Sequence, residues 1–185
     1  MEDHFRSLFV IQKGAVKIES VSEDGANMVD GFYFIGEMFG VDAIGDDYYR
    51  NDAIALETTW VCELPYTKLE TLCTLLPELQ RKIFMMLGHQ IRKINENLVH
   101  NRSLSAEKRV LQFLETLSDS NVVKKNHQCQ MQLPMSKGDM ACYLGLRPES
   151  LSRALGKLSS DGVIRNHARK IELLQHNTSF ELAYK

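Results

Sequence analysis

An α+β chain is the fold class this sequence predicts, with a β-rich front, a long central helix and a C-terminal winged helix-turn-helix. Three observations predict it. Short β-prone runs broken by glycine-containing turns fill residues 1–66. An apolar stripe with heptad spacing then occupies residues 84–98. Finally, SKGDMACYLGLRPESLSRALGKL at 136–158 sets small, glycine and apolar residues where two short helices must cross steeply. The domains expected are 1–66, 67–103 and 104–185.

In the front part, LFVIQKGAVKIESV at 8–21 holds two β-prone runs separated at Lys13–Gly14, and Glu23–Ala26 supplies a turn. Further strands are expected at Met28–Ile35 and Asn51–Leu64, on either side of the glycine-containing stretch Gly36–Gly45. Short strands at this spacing suit a small barrel, roll or sandwich.

The period changes at Thr67. Thr67 and Glu70 have the spacing of a capping box, ahead of Leu69, Leu72 and Leu76. Pro77 restarts a helix with Glu78 in its first turn. Phe84, Leu87, Ile91, Ile94 and Leu98 then alternate steps of three and four, and Asn101 is next in register. Ile83 and Met86 supply apolar surface beside this seam, so the seam itself is expected to face a second copy in a homodimer. After a serine-rich break at 102–105, Ser105 is placed to cap a helix carrying Val110, Leu111, Phe113, Leu114 and Leu117. The polar stretch Asp119–Gln132, with Lys124 and Lys125, reads as a loop.

Ser136 and Asp139 form a capping box for the first helix of the pair. Ala141 is small where the helices cross, Gly145 lies in the turn where positive φ suits glycine, and Leu151 faces back to the first helix. Pro148 fits the first position of the second helix. Leu151, Leu155 and Leu158 form its inner face, and Glu149, Ser152 and Arg153 an outer one. An exposed second helix can enter the major groove of double-stranded DNA. Arg153 can then donate a fork to guanine, Glu149 can accept from cytosine, and Ser152 is small enough for close approach to a base. A solvated Glu149–Arg153 pair remains the alternative. Ser136, Lys137, Arg147, Ser150 and Lys157 are candidates for phosphate or flanking contacts. A two-stranded wing, with strands at Gly162–Arg165 and Arg169–Leu174 on either side of an Asn166–His167 turn, adds Arg165, Arg169 and Lys170.

Charge divides the chain in the same sense. Residues 1–77 carry 5 basic and 14 acidic side chains, residues 78–125 carry 9 and 5, and residues 136–185 carry 8 and 5. The formal net charge of -2 conceals an acidic front and a basic rear. No apolar run reaches membrane-spanning length and no secretory signal is visible, which together predict a cytoplasmic protein. Cys62, Cys73, Cys129 and Cys142 have no disulfide-framework spacing. The six scattered histidines, without paired carboxylates, a nucleophile elbow or a phosphate loop, argue against an enzyme.

Taken together, the order of β-domain, long helix and winged helix-turn-helix resembles the Crp–Fnr family of bacterial transcription regulators across the whole chain. GEMFGVDAIG at 36–45, ALETTWVCELPY at 55–66 and GDMACYLGLRPESLSRALGKL at 138–158 carry the resemblance, closest to the fumarate-and-nitrate-reduction (FNR) branch. It implies a truncated cyclic-nucleotide-binding-like β-roll and DNA reading of a TTGAT half-site, with ATCAA on the other arm, by Glu149, Ser152 and Arg153. It also implies RNA polymerase as a partner and a role as activator in oxygen- or redox-linked control. Pro148 stands where the cyclic-AMP receptor branch carries arginine, which favours the FNR-type site. The alternatives are a cyclic-nucleotide-responsive regulator of the same family and a dimerising module that does not read DNA.

In cyclic-nucleotide-binding relatives, a Gly–Glu pair is followed by Arg–Ser/Thr–Ala. Here Gly36–Glu37 is kept, but the later segment reads Tyr49–Arg50–Asn51–Asp52–Ala53, without the hydroxyl and with Asp46 and Asp47 nearby. Repulsion of an anionic ligand argues against cyclic-nucleotide binding and leaves Arg50 as a surface or ion-pair residue. The FNR branch holds a [4Fe–4S] cluster on four cysteines. The resemblance aligns Cys62 with the internal ligand and implies that the others precede this sequence, so no cofactor is expected on the chain as it stands. Such a chain is either a piece of a longer redox sensor, in which Cys62 ligates a cluster, or a regulator that dimerises without one. Strand alternation equally allows Cys62 to be a buried core residue beside Trp60 and Leu64.

Overall fold

A computed structural model describes residues 3–119, 129–167 and 170–174, which divide into two compact units at Ser103/Leu104. In the first unit, β1 (Ser7–Lys13) and β2 (Val16–Val21) are parted at Gly14, where φ is +87° and a Cβ would lie 2.8 Å from the Thr58 carbonyl oxygen. Only glycine fits that corner. β3 (Asn27–Tyr33), β4 (Met38–Phe39), β5 (Asp52–Ala55) and β6 (Trp60–Pro65) follow. They pair antiparallel as two three-stranded sheets, β4-β1-β6 and β3-β2-β5. Ile11, Val16, Ile18 and Phe39 form one core cluster; Leu8, Met38 and Leu69 form another. The expected strand at Asn51–Leu64 is therefore two strands in different sheets, because the chain turns at 56–59.

Helix α1 (Tyr66–Leu75) begins one residue before Thr67, without a side-chain cap. The capping box expected there does not form. β6 runs straight into Pro65, the Tyr66 N–H donates to the Arg6 carbonyl, and Leu69 is already drawn into the core with Leu8 and Met38. The Thr67 backbone carbonyl accepts from the Thr71 hydroxyl inside the helix.

Helix α2 (Pro77–Ser103) has two apolar faces. Leu79, Ile83, Met86 and Leu87 pack on the Leu8–Met38–Leu69 cluster. Farther along, the Gln90 amide donates to the Met38 carbonyl, and the Lys93 ammonium meets the Phe32 carbonyl at 3.1 Å and Glu37 at 2.9 Å. On the other side, Phe84, Ile91, Ile94 and Leu98 are 62%, 61%, 53% and 52% exposed. Of the five seam positions, only Leu87 is shared with the roll.

In the second unit, α3 (Ala106–Asp119) buries Val110, Leu114 and Leu117. α4 (Lys137–Tyr143) and α5 (Pro148–Ser160) follow β7 (Cys129–Gln132), and β8 (Ile164–His167) and β9 (Lys170–Leu173) close the unit. The sheet order is β7-β9-β8. The end of the expected 119–132 loop is thus a strand, placing Cys129 in a sheet, and the wing belongs to a three-stranded sheet. Met131 and Leu133, two apart and both buried, drive that pairing. Asn166 and His167 are paired strand residues rather than a turn. Arg169, Lys124 and Lys125 lie outside the described residues.

The start of α3 is acid-sensitive. The backbone N–H of Glu107, then the Ser105 hydroxyl and more weakly the Lys157 charge, hold the Glu107 carboxyl below its ordinary 4.5 against a small opposing effect of burial. A depressed folded pKa contributes stability above the unfolded value that is lost as pH falls through the folded one. Melting temperature measured from about pH 6 to about pH 3 is expected to fall less steeply in Glu107→Gln than in the wild type; parallel curves would refute this role.

Candidate nucleic-acid interface

Ser136 begins α4 with the capping box expected of it. Its Oγ accepts from the Asp139 N–H at 3.0 Å, while its own N–H donates to Asp139 Oδ2 at 3.3 Å. α4 ends in a Schellman motif: the Gly145 N–H donates to Cys142 at 3.0 Å and the Leu146 N–H to Ala141 at 2.8 Å, with Gly145 at φ +61°. The turn then passes Arg147, which has extended backbone angles, and Pro148 takes the first position of α5. Ala141 and Leu151, each 1% exposed, form the crossing. α5 stops in a second Schellman motif at Gly162, so Gly162 is a helix stop and the strand begins at Ile164.

This geometry turns α5 into a two-sided element. Leu151, Ala154, Leu155 and Leu158 are buried, whereas Glu149, Ser152 and Arg153 are exposed. Glu149 and Arg153 are not paired with each other; Arg153 reaches the Ser150 hydroxyl at 3.4 Å. Lys137, Arg147, Lys157 and Lys170 are exposed, as is Ser136, and Ser150 is half-buried. Arg165 is committed differently, donating at 2.9 Å to Glu172, whose side chain is buried in the sheet. Spacing also gave no sign of Arg109 on α3. Its guanidinium donates through Nε to the Leu104 carbonyl at 3.0 Å and through Nη1 to the Leu144 carbonyl at 3.2 Å.

In the first unit, a cavity of about 600 Å³ is lined by Phe9, Ile18, Phe39 and Ile54 and rimmed by Asp3, Asp42 and Asp52. Arg50 at its edge is ion-paired to Asp46 at 2.8 Å, and Asn51 donates to Asp42 at 3.0 Å. Glu37 accepts from the Phe34 N–H at 2.8 Å as well as from Lys93. Cys62, opposite Val10 on the outer strand β6, is exposed, which overturns its reading as a core residue. Among the described residues no three His, Cys, Asp or Glu side chains converge as a metal-holding group. Nor is any helix of the described residues long and apolar enough to cross a membrane.

Comparison with known proteins agrees with the two-unit reading. The model of the cyclic nucleotide-binding domain matches residues 1–74, and that of the Crp-like helix-turn-helix domain matches residues 108–178. The fumarate and nitrate reduction regulatory protein of Vibrio cholerae is 33% identical over 181 residues, covering 98% of this chain and 72% of that protein. The chain belongs to the Crp–Fnr family of transcription regulators. FnrA, a transcriptional activator of Stutzerimonas stutzeri, is 31% identical over 93% of the chain and 70% of its own length. The solved structure of FixK2 from Bradyrhizobium japonicum superimposes with a TM-score of 0.83 at 27% identity, covering 94% of this chain and 85% of that one. As a Crp–Fnr regulator the chain binds DNA through its helix-turn-helix, and its fold combines the family's β-domain with that reader.

Proposed function

We propose that this Crp–Fnr regulator binds as a homodimer to an inverted repeat with TTGAT and ATCAA arms, in anaerobic or redox-linked gene control and in contact with RNA polymerase. The observation that carries the reading is α5, whose exposed Glu149, Ser152 and Arg153 stand opposite a fully buried leucine face. A polar row opposite a packed face, unpaired within itself, is chemistry directed outward. Arg153 would take guanine and Glu149 cytosine. Lys137, Arg147, Lys157, Lys170 and the Ser136 and Ser150 hydroxyls would hold phosphates, with Arg165 contributing less because Glu172 already engages it. The exposed stripe Phe84, Ile91, Ile94 and Leu98 supports the dimer.

A cyclic nucleotide as effector is favoured by the match to that domain but opposed by the chemistry present. Lys93 and a backbone N–H engage Glu37, Asp46 engages Arg50, and three carboxylates rim the cavity. Cys62 would ligate a [4Fe–4S] cluster only together with cysteines supplied by a longer parent protein.

Fluorescence anisotropy in air, at near-physiological salt, on the TTGAT/ATCAA duplex and a scrambled one tests the reading. Wild type should prefer the repeat. Glu149→Ala and Arg153→Ala should each lose about 1–3 kcal/mol on it while binding the scrambled duplex almost unchanged. Equal affinity of wild type for both duplexes would refute this site.

A further inference from the structure

Leu144 caps the C-terminal end of α4, and its carbonyl belongs to the peptide that leads into the positive-φ Gly145. The two hydrogen bonds of the Schellman motif use the carbonyls of Cys142 and Ala141 and leave that of Leu144 over. Orphan carbonyls at a helix end need a donor. Arg109 supplies it from a different helix, at 3.2 Å, and a Cβ built on Gly145 would stand 3.8 Å from the same guanidinium nitrogen. Its Nε simultaneously holds the carbonyl of Leu104, the first residue of the second unit. One rigid fork therefore ties the start of this unit to the peptide plane on which the turn depends. The Leu144 carbonyl and Gly145 N–H share that plane, so rotating it to free the carbonyl would also break the Gly145–Cys142 hydrogen bond.

We infer that Arg109 is a positioning residue for DNA recognition: by fixing the Leu144–Gly145 peptide it sets the angle at which α5 presents Glu149, Ser152 and Arg153. Arg109 is half-buried. Its contacts are two backbone carbonyls, while Val110, Leu114 and Leu117 carry the packing of α3. Replacing it loosens the turn rather than the core. Lysine keeps the charge but lacks the planar fork, so it satisfies one carbonyl and not both.

The test follows amide hydrogen exchange and DNA binding in the full chain for Arg109→Ala, Arg109→Gln and Arg109→Lys. In Arg109→Ala, exchange at Gly145 and Leu146 should rise about tenfold while amides of the α3 core stay protected, in keeping with loss of a charge-assisted hydrogen bond. Affinity for the TTGAT/ATCAA duplex should fall by a similar factor, with scrambled-duplex binding held by Arg109→Lys and only partial recovery of specificity. Arg109→Gln, which keeps a neutral donor, serves if the alanine variant fails to fold. Unchanged exchange at the turn would overturn the inference. So would a uniform rise across the unit with equal loss on both duplexes, which marks bulk stability, or full recovery by lysine, which marks charge alone. The DNA arm rests on the repeat proposed above. If wild type does not discriminate the duplexes, that site sequence has failed, and the exchange arm still decides whether Arg109 fixes the turn.

Discussion

Ile91→Glu is expected to turn the protein into monomers and to weaken binding to the inverted repeat by about 10²–10⁴-fold, the range set by losing linkage between two half-site readers. Ile91 is 61% exposed at the centre of a stripe that also contains Phe84, Ile94 and Leu98. Burying each such side chain against a second copy contributes about 1.5–3 kcal/mol. A carboxylate there would be desolvated in both copies without a partner, which is more costly than removing the contact. Sedimentation should show the change in mass and anisotropy the loss of affinity. The fold should survive, since the face of α2 that holds the roll is the one containing Ile83 and Met86. A variant that sediments as the wild type does would remove the stripe from the interface.

The second large effect concerns the helix crossing. Leu151→Ala is expected to cost about 2–5 kcal/mol, because a buried leucine lost from a packed site leaves a cavity as well as a transfer penalty. Leu151 is 1% exposed, and Met140, Leu155 and Leu158 on the same helix pair are fully buried as well. Against a total of about 5–15 kcal/mol for a typical domain, that is a large share. Urea unfolding should show an early transition in the variant, while Glu149→Ala, on the exposed face, should unfold with the wild type. Coincident curves for Leu151→Ala would mean that the crossing is not tightly packed.

How much of this was legible in the residues depends on how local the determining physics is. The cap at Ser136, the glycine turn at Gly145 and the split between buried Leu151, Leu155 and Leu158 and exposed Glu149, Ser152 and Arg153 follow from neighbours within one or two turns. Pattern alone was enough for these. Thr67 had the same local signature as Ser136 and yet formed no cap, because a strand delivered the chain to Pro65 in position to start the helix and Leu69 was needed in the core. At Cys129–Gln132 the polar glutamines masked a strand held by a partner some forty residues on. Cys62 obeys strand alternation, but β6 is an outer strand exposed over Trp60–Glu63, so alternation did not imply burial. Arg109 left no pattern at all: its acceptors are backbone carbonyls, and a carbonyl has no letter in a sequence.

The bare stripe on α2 has a consequence for regulation as well as for assembly. If two copies must meet before either half-site is held firmly, promoter occupancy at scarce protein rises with the square of its abundance, and a twofold change in synthesis becomes about a fourfold change in output. A cell could then grade its response through the number of molecules it makes, with no small effector required.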